Sequence, residues 1–264
     1  MSTFQDPLPE PGTPIGPEIS LAQIPPPIED PVWSGWDVFW IAMVTIFSVV
    51  FFIFATAYVT HRLFYPKTTF TDVMQFPLVT IVAQVLAYLV VLVFMISIVE
   101  GRPGERFWSA IKWKWPQNPW MFILAGVILS LGLQLLGQLL PMPKDLPIDR
   151  FFKTSIEVWA ISIFGVTIVP LMEELFFRGF LYPVLARRLG LPIAVGITSI
   201  LFGCIHGAQL GWTWAPVLIV SLVGVALTLT RAKTKSVAAG VLMHMAYNGT
   251  LFGLGLFFGN VAGR

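Results

Sequence analysis

The stretch Val169-Pro170-Leu171-Met172-Glu173-Glu174-Leu175-Phe176-Phe177-Arg178 ends an apolar run on two adjacent carboxylates and follows them with a guanidinium. An ionisable side chain in a lipid-spanning segment is costly and marks a functional site by default. Two later apolar runs carry His206 and the pair His244/Asn248, and the whole chain has only 3 histidines. Polar groups therefore recur in three separate apolar runs, a pattern that points to buried chemistry between helices.

The rest of the chain supports a membrane setting. Of 264 residues, 56% are hydrophobic and 11% charged, and the mean hydropathy is +0.79. A soluble domain averages roughly 25% charged residues, so this chain cannot cover itself with polar surface. The fold class is an all-α, polytopic transmembrane bundle. A net charge of +2 and the lack of a basic run exclude a nucleic-acid partner. A single cysteine, Cys204, excludes an internal disulfide and any multi-cysteine metal site.

Residues 1–34 are rich in proline and acidic, with few aliphatics, and read as a disordered tail. Met1 to Pro31 hold no Lys or Arg and no apolar core, so they lack both regions of a signal peptide. Apolar stretches near the ~20 residues needed to cross a bilayer follow at Val38–Tyr58, Phe76–Val99, Trp120–Leu140, Val158–Phe177, Leu191–Gln209, Ala215–Leu229 and Val237–Phe258. The expected count is seven, or eight with a different parse. Pro170 is expected to kink the fourth span just before the glutamates. Arg106–Trp115 mixes basic and aromatic residues and is expected to form an interfacial helix. Tryptophans, including Trp33, gather at span ends as an aromatic belt. Three regions result: the tail, N-terminal helices over 35–150, and a core over 151–264.

Arg102, Arg106, Lys112, Lys114, Arg187, Arg188, Arg231, Lys233 and Lys235 collect on one side of such a bundle. The opposite side holds the smaller set Arg62, Lys67, Lys144, Arg150, Lys153 and Arg264. By the positive-inside rule the N-terminus is expected in the cytosol of a cell (plasma) membrane protein.

Helical geometry separates the two acids. Glu174 and Arg178 are four apart and share a face, so they can pair. Glu173 is rotated by about 100° and is left as the free carboxylate. Phe202 and His206 share a face, so the ring can wall off the site. Gly203 and Gly207 form a small-xxx-small pair for close helix approach, with Cys204 turned away from His206. His244 and Asn248 are again four apart and suit a developing oxyanion. His61 reads as an interface residue. Gly255 and Gly259 offer a further small-residue face, and the oligomeric state stays open.

Together, Glu-Glu-x-x-x-Arg, Phe-x-x-x-His and His-x-x-x-Asn in three spans resemble the CAAX prenyl endopeptidase and bacteriocin-processing (CPBP, Abi) intramembrane proteases. The resemblance covers about Ser155 to Asn260. It implies an intramembrane endopeptidase acting on a membrane-anchored or prenylated peptide from a cavity open to the cytosol. Glu173 and His206 would activate a water, His244 and Asn248 would stabilise the oxyanion, and Glu174, Arg178 and Phe202 would support them. No metal cofactor is favoured. The alternative is a zinc metalloprotease with Glu173, His206 and His244 as ligands, although no His-Glu-x-x-His signature occurs. Rival readings are a proton-coupled transporter and a non-catalytic membrane scaffold or immunity protein on the same fold.

Overall fold

A computed structural model describes residues 29–147 and 155–262, with the backbone alone at 155 and 257–262. Residues 1–28, most of the expected tail, lie outside the described residues, as do Arg150, Lys153 and Arg264. The described chain forms helices α1 (Gly35–Leu63), α2 (Phe70–Met74), α3 (Pro77–Glu100), α4 (Phe107–Ala110), α5 (Pro119–Gly137), α6 (Ser155–Val166), α7 (Ile168–Glu174), a π-helical stretch (Leu175–Leu181), α8 (Tyr182–Ile205), α9 (Trp214–Thr234) and α10 (Val237–Ala262).

Six segments are long and apolar enough to cross a membrane among the described residues. One of them, Ile156–Ile205, runs for 50 residues and breaks at Gly190, whose φ of 76° and ψ of 172° are non-helical. It therefore holds both spans expected at Val158–Phe177 and Leu191–Gln209, and the count of seven becomes six segments. The protein is an integral membrane protein built as a helical bundle.

Local signals start and stop these helices. Ser34 caps α1, accepting from the Asp37 backbone N–H while the Asp37 carboxylate accepts from Ser34 N at 2.7 Å. This reciprocal box satisfies donors that a helix start leaves orphaned. Pro77 and Pro119 sit in the first turns of α3 and α5, where a missing N–H costs nothing. α1 packs on α3, α5 on α10 and α8 on α9, while α10 also touches α6, α7, α9 and the π-helical stretch.

Four expectations change. The break ahead of the glutamates falls at Thr167, between α6 and α7, and not at Pro170. Pro170 lies in the first turn of α7, where the ring is tolerated. The expected interfacial helix over Arg106–Trp115 is a single turn, α4, whose Phe107 and neighbouring Ile111 are buried in the core. Trp33 leaves the aromatic belt: it is 1% exposed and donates to Phe180 O at 3.0 Å. Of the glycine pair, Gly203 does press against α9, since a Cβ there would lie 2.1 Å from Ser221 Oγ. Gly207 instead lies under the Trp212 ring. The helix has ended at Ile205 by then, so Gly207 no longer shares a helical face with Gly203. A Cβ on Gly255 would meet nothing within 4 Å.

The last residues of the expected tail are folded in. Glu29 is 2% exposed and accepts from Lys112 Nζ at 2.8 Å, Arg231 Nη1 at 2.8 Å and Lys235 Nζ at 3.0 Å. Burial alone would raise its pKa, but the three cations outweigh that and hold it down to about 2. Arg187 donates to Pro31 O at 2.9 Å and pairs with Asp30 at 3.2 Å. Lys112, Arg187, Arg231 and Lys235, grouped on one side by sequence, thus meet at one end of the bundle. The Glu29–Trp33 segment ties that end together and abuts the π-helical stretch through Trp33 and Phe180, whose rings lie 4.5 Å apart.

Candidate active site

Glu173 and Glu174 are the last residues of α7, held between the break at Thr167 and the π-helical stretch that starts at Leu175. Extra residues in a π turn shift the side chains that follow it, and such turns gather at functional sites. The sequence carried no signal for this stretch, because its composition is that of an ordinary apolar helix.

The two carboxylates take different surroundings. Glu174 is fully buried and pairs with Arg178 Nη1 at 2.7 Å, with both side chains 0% exposed. Arg178 also donates through Nη2 to Gly224 O at 3.0 Å and through Nε to Thr228 Oγ1 at 3.3 Å. Its guanidinium lies 4.6 Å from the Phe202 ring centre, a cation–π contact. The carboxylate has little room: a Cβ on Gly240 would lie 2.7 Å from Glu174 Oε2. Gly224, Thr228 and Gly240 were not singled out from the sequence, since their role depends on which helix faces them.

Glu173 instead faces a cavity of about 300 Å³ shared with Phe202, His206, His244 and Asn248. Its Oε1 is 3.4 Å from His206 Nε2 and its Oε2 is 3.8 Å from His244 Nε2. His206 Nδ1 lies 2.8 Å from Phe202 O. A carbonyl only accepts, so Nδ1 carries the hydrogen and a neutral His206 turns a lone pair toward Glu173. Two acceptors at this distance require a hydrogen between them, on either group or from a water that donates to both.

His244 Nδ1 lies 3.1 Å from Glu174 Oε1. With Glu174 engaged by Arg178, the imidazole is the donor there, and its Nε2 points to Glu173. Asn248 lines the same cavity, and its Nδ2 donates to Gly165 O at 2.7 Å. One amide hydrogen is thereby committed and one remains. Phe202, 1% exposed, stands with its ring centre 5.1 Å from His206, 5.7 Å from His244 and 5.2 Å from Phe177. It walls the site as expected. All seven residues singled out from the sequence thus converge, although α7, the π-helical stretch, α8 and α10 each supply only some of them.

A zinc ion at this site would take Glu173, His206 and His244 as its protein donors. Among the described residues no three His, Cys, Asp or Glu side chains close on one point as a metal-ligand group. Glu173 instead turns one oxygen to each imidazole, Oε1 to His206 Nε2 at 3.4 Å and Oε2 to His244 Nε2 at 3.8 Å.

Comparison with known proteins matches the part of the chain that carries these residues. Residues 155–250 match the model of the type II CAAX prenyl endopeptidase Rce1-like family. The UPF0177 protein YbdI of Lactococcus lactis subsp. lactis (strain IL1403) is 26% identical over 132 residues, covering 48% of this chain and 69% of that relative. No solved structure matches the chain. The matched segment contains Glu173, Glu174, Arg178, Phe202, His206, His244 and Asn248, and over this segment the chain is similar to the type II CAAX prenyl endopeptidase Rce1-like family.

Proposed function

We propose that the protein is an intramembrane endopeptidase that hydrolyses a peptide bond in a membrane-anchored or prenylated substrate with a Glu/His-activated water. The observation that carries this reading is the Glu173 carboxylate, which faces one imidazole Nε2 with each oxygen inside a cavity at membrane depth. A water between Glu173 and His206 donates one hydrogen to each and leaves its lone pairs for the scissile carbonyl carbon. Glu173 takes the proton as the C–O bond forms. The His244 imidazole and the free Asn248 N–H flank the developing oxyanion. As the C–N bond breaks, protonated Glu173 gives its proton to the leaving amine.

The apolar tail of the substrate has a neighbouring place to lie. A groove of about 700 Å³ between α1 and α3, lined by Phe52, Val59, Leu78 and Val82, shares Pro77 with the catalytic cavity. The cytosolic N-terminus and plasma membrane belong to this same reading, as does a mechanism without metal. The test is cleavage of a quenched fluorescent prenylated CAAX peptide by detergent-purified protein, wild type against Glu173→Ala. Cleavage by wild type alone supports the assignment. Equal cleavage by both overturns Glu173 as base. Loss of wild-type activity to a chelator, with stoichiometric zinc in the active protein, would replace this mechanism by the Glu-His₂ zinc one. A cellular phenotype that survives Glu173→Ala would favour the scaffold.

A further inference from the structure

The catalytic cavity has a second polar wall that neither the motifs nor the mechanism uses. α3 is apolar through its membrane-spanning length, yet Thr80, Gln84 and Tyr88 recur at every fourth position. All three line the cavity that holds Glu173, His206 and His244. Thr80 donates back to Phe76 O within its own helix. Gln84 and Tyr88 make no hydrogen bond to any described residue. The Tyr88 ring is stacked on Phe164 at 6.2 Å with 17° between planes, so its position is held by packing. A carboxamide and a phenol kept unpartnered at membrane depth cost free energy, so their retention calls for a ligand.

The chemistry of that ligand follows from what must enter. A peptide brought into a low-dielectric cavity carries main-chain N–H and C=O groups, each costly if left unpaired. Successive turns of α3 place Gln84 and Tyr88 about 6 Å apart along the helix axis. Alternate residues of an extended peptide are about 6.6 Å apart. Gln84 supplies both an acceptor and a donor, and Tyr88 supplies a hydroxyl donor.

We propose that α3 is the substrate main-chain rail: the peptide lies extended along it, with Gln84 and Tyr88 hydrogen-bonding to backbone groups of alternate residues. This rests on the protease reading above and adds to it the orientation of the bound chain and two binding residues. The rail and the Glu173–His206 pair line one cavity, so the scissile carbonyl is presented between them.

The test uses the full-length protein in detergent with Gln84→Met, Tyr88→Phe and Glu173→Gln variants. The substrates are an apolar-anchored peptide and a set of analogues in which one backbone amide at a time is replaced by an ester, which lacks the N–H. For Gln84→Met and Tyr88→Phe the KM is expected to rise roughly tenfold, the effect of one lost hydrogen bond, with kcat little changed. One ester position is expected to cost the wild type a similar factor and to cost Gln84→Met nothing further. That coupling would not arise from a merely structural role. The proposal is overturned if both variants keep the wild-type KM within twofold, or if every ester penalty is the same in all enzymes. A wild type that matches Glu173→Gln in cleaving nothing overturns the protease reading itself, and the rail with it.

Discussion

His206 Nε2 stands 3.4 Å from Glu173 Oε1 while its other ring nitrogen is tied to the Phe202 carbonyl. The carbonyl determines the tautomer, and the tautomer determines what can sit between the two residues. On the proposed mechanism a water there would be held by two acceptors and polarised toward Glu173. Neither group has the same effect alone, because the lone pair of a neutral His206 and the carboxylate of Glu173 repel without a shared hydrogen.

Removing the base is therefore expected to lower kcat by about 10²–10⁴-fold in Glu173→Gln, with the protein still inserted and folded. His206→Ala should fall in the same range. The double variant should be little worse than either single one, since the two act on one water. Single-turnover cleavage by the three purified variants checks this, and a double variant whose losses multiply would contradict a shared water.

The Glu174–Arg178 pair is expected to affect folding before chemistry. Both side chains are fully buried, and removing one partner from such a pair costs about 3–5 kcal/mol by leaving the other charge uncompensated. Arg178→Met should lower the unfolding midpoint in mild detergent markedly, and Glu174→Gln combined with Arg178→Met should recover part of the loss. If Arg178→Met unfolds with the wild type, the pair has no structural role.

Gly240→Ala separates geometry from stability. Its methyl group would press on Glu174 Oε2 at 2.7 Å, and Glu174 is held by both Arg178 and His244. Displacement is passed to His244 and thus to the oxyanion side of the site. The expected loss in kcat is roughly tenfold to hundredfold, with a small change in unfolding midpoint. A variant with wild-type kcat would show that the site relaxes freely.

Glu29 makes stability depend on acid. Its folded pKa, about 2, lies below the ordinary 4.5, so its contribution is complete above pH 4.5 and is lost as pH falls toward 2. The difference in unfolding midpoint between wild type and Glu29→Gln should hold steady from pH 7 to about pH 4.5 and shrink below it. A difference that does not change over this range would mean that the Lys112–Arg231–Lys235 cluster does not hold a charged Glu29.

Much of this protein was legible in its sequence. Hydropathy alone dictates a helical membrane bundle, because a chain with so few charges must satisfy its backbone inside each span. Spacing alone pairs Glu174 with Arg178 and frees Glu173, because residues four apart meet on a helix whatever surrounds them. The tertiary structure decided what depends on contact between distant segments. Trp33 resembles an interface tryptophan until Phe180 is seen beside it, and Glu29 resembles a tail residue until Arg231, Lys112 and Lys235 close around it. Gly240 and Gly224 matter only through the side chains that face them. The π-helical stretch after Glu174 has no compositional mark, since a change in hydrogen-bond register leaves the residue types unaltered. Thr80, Gln84 and Tyr88 stand four apart in the sequence but were not singled out from it. Only the tertiary structure, in which α3 packs on α1 and α6, shows that they line the same cavity as Glu173, because a period fixes which residues share a face and not which neighbour that face meets.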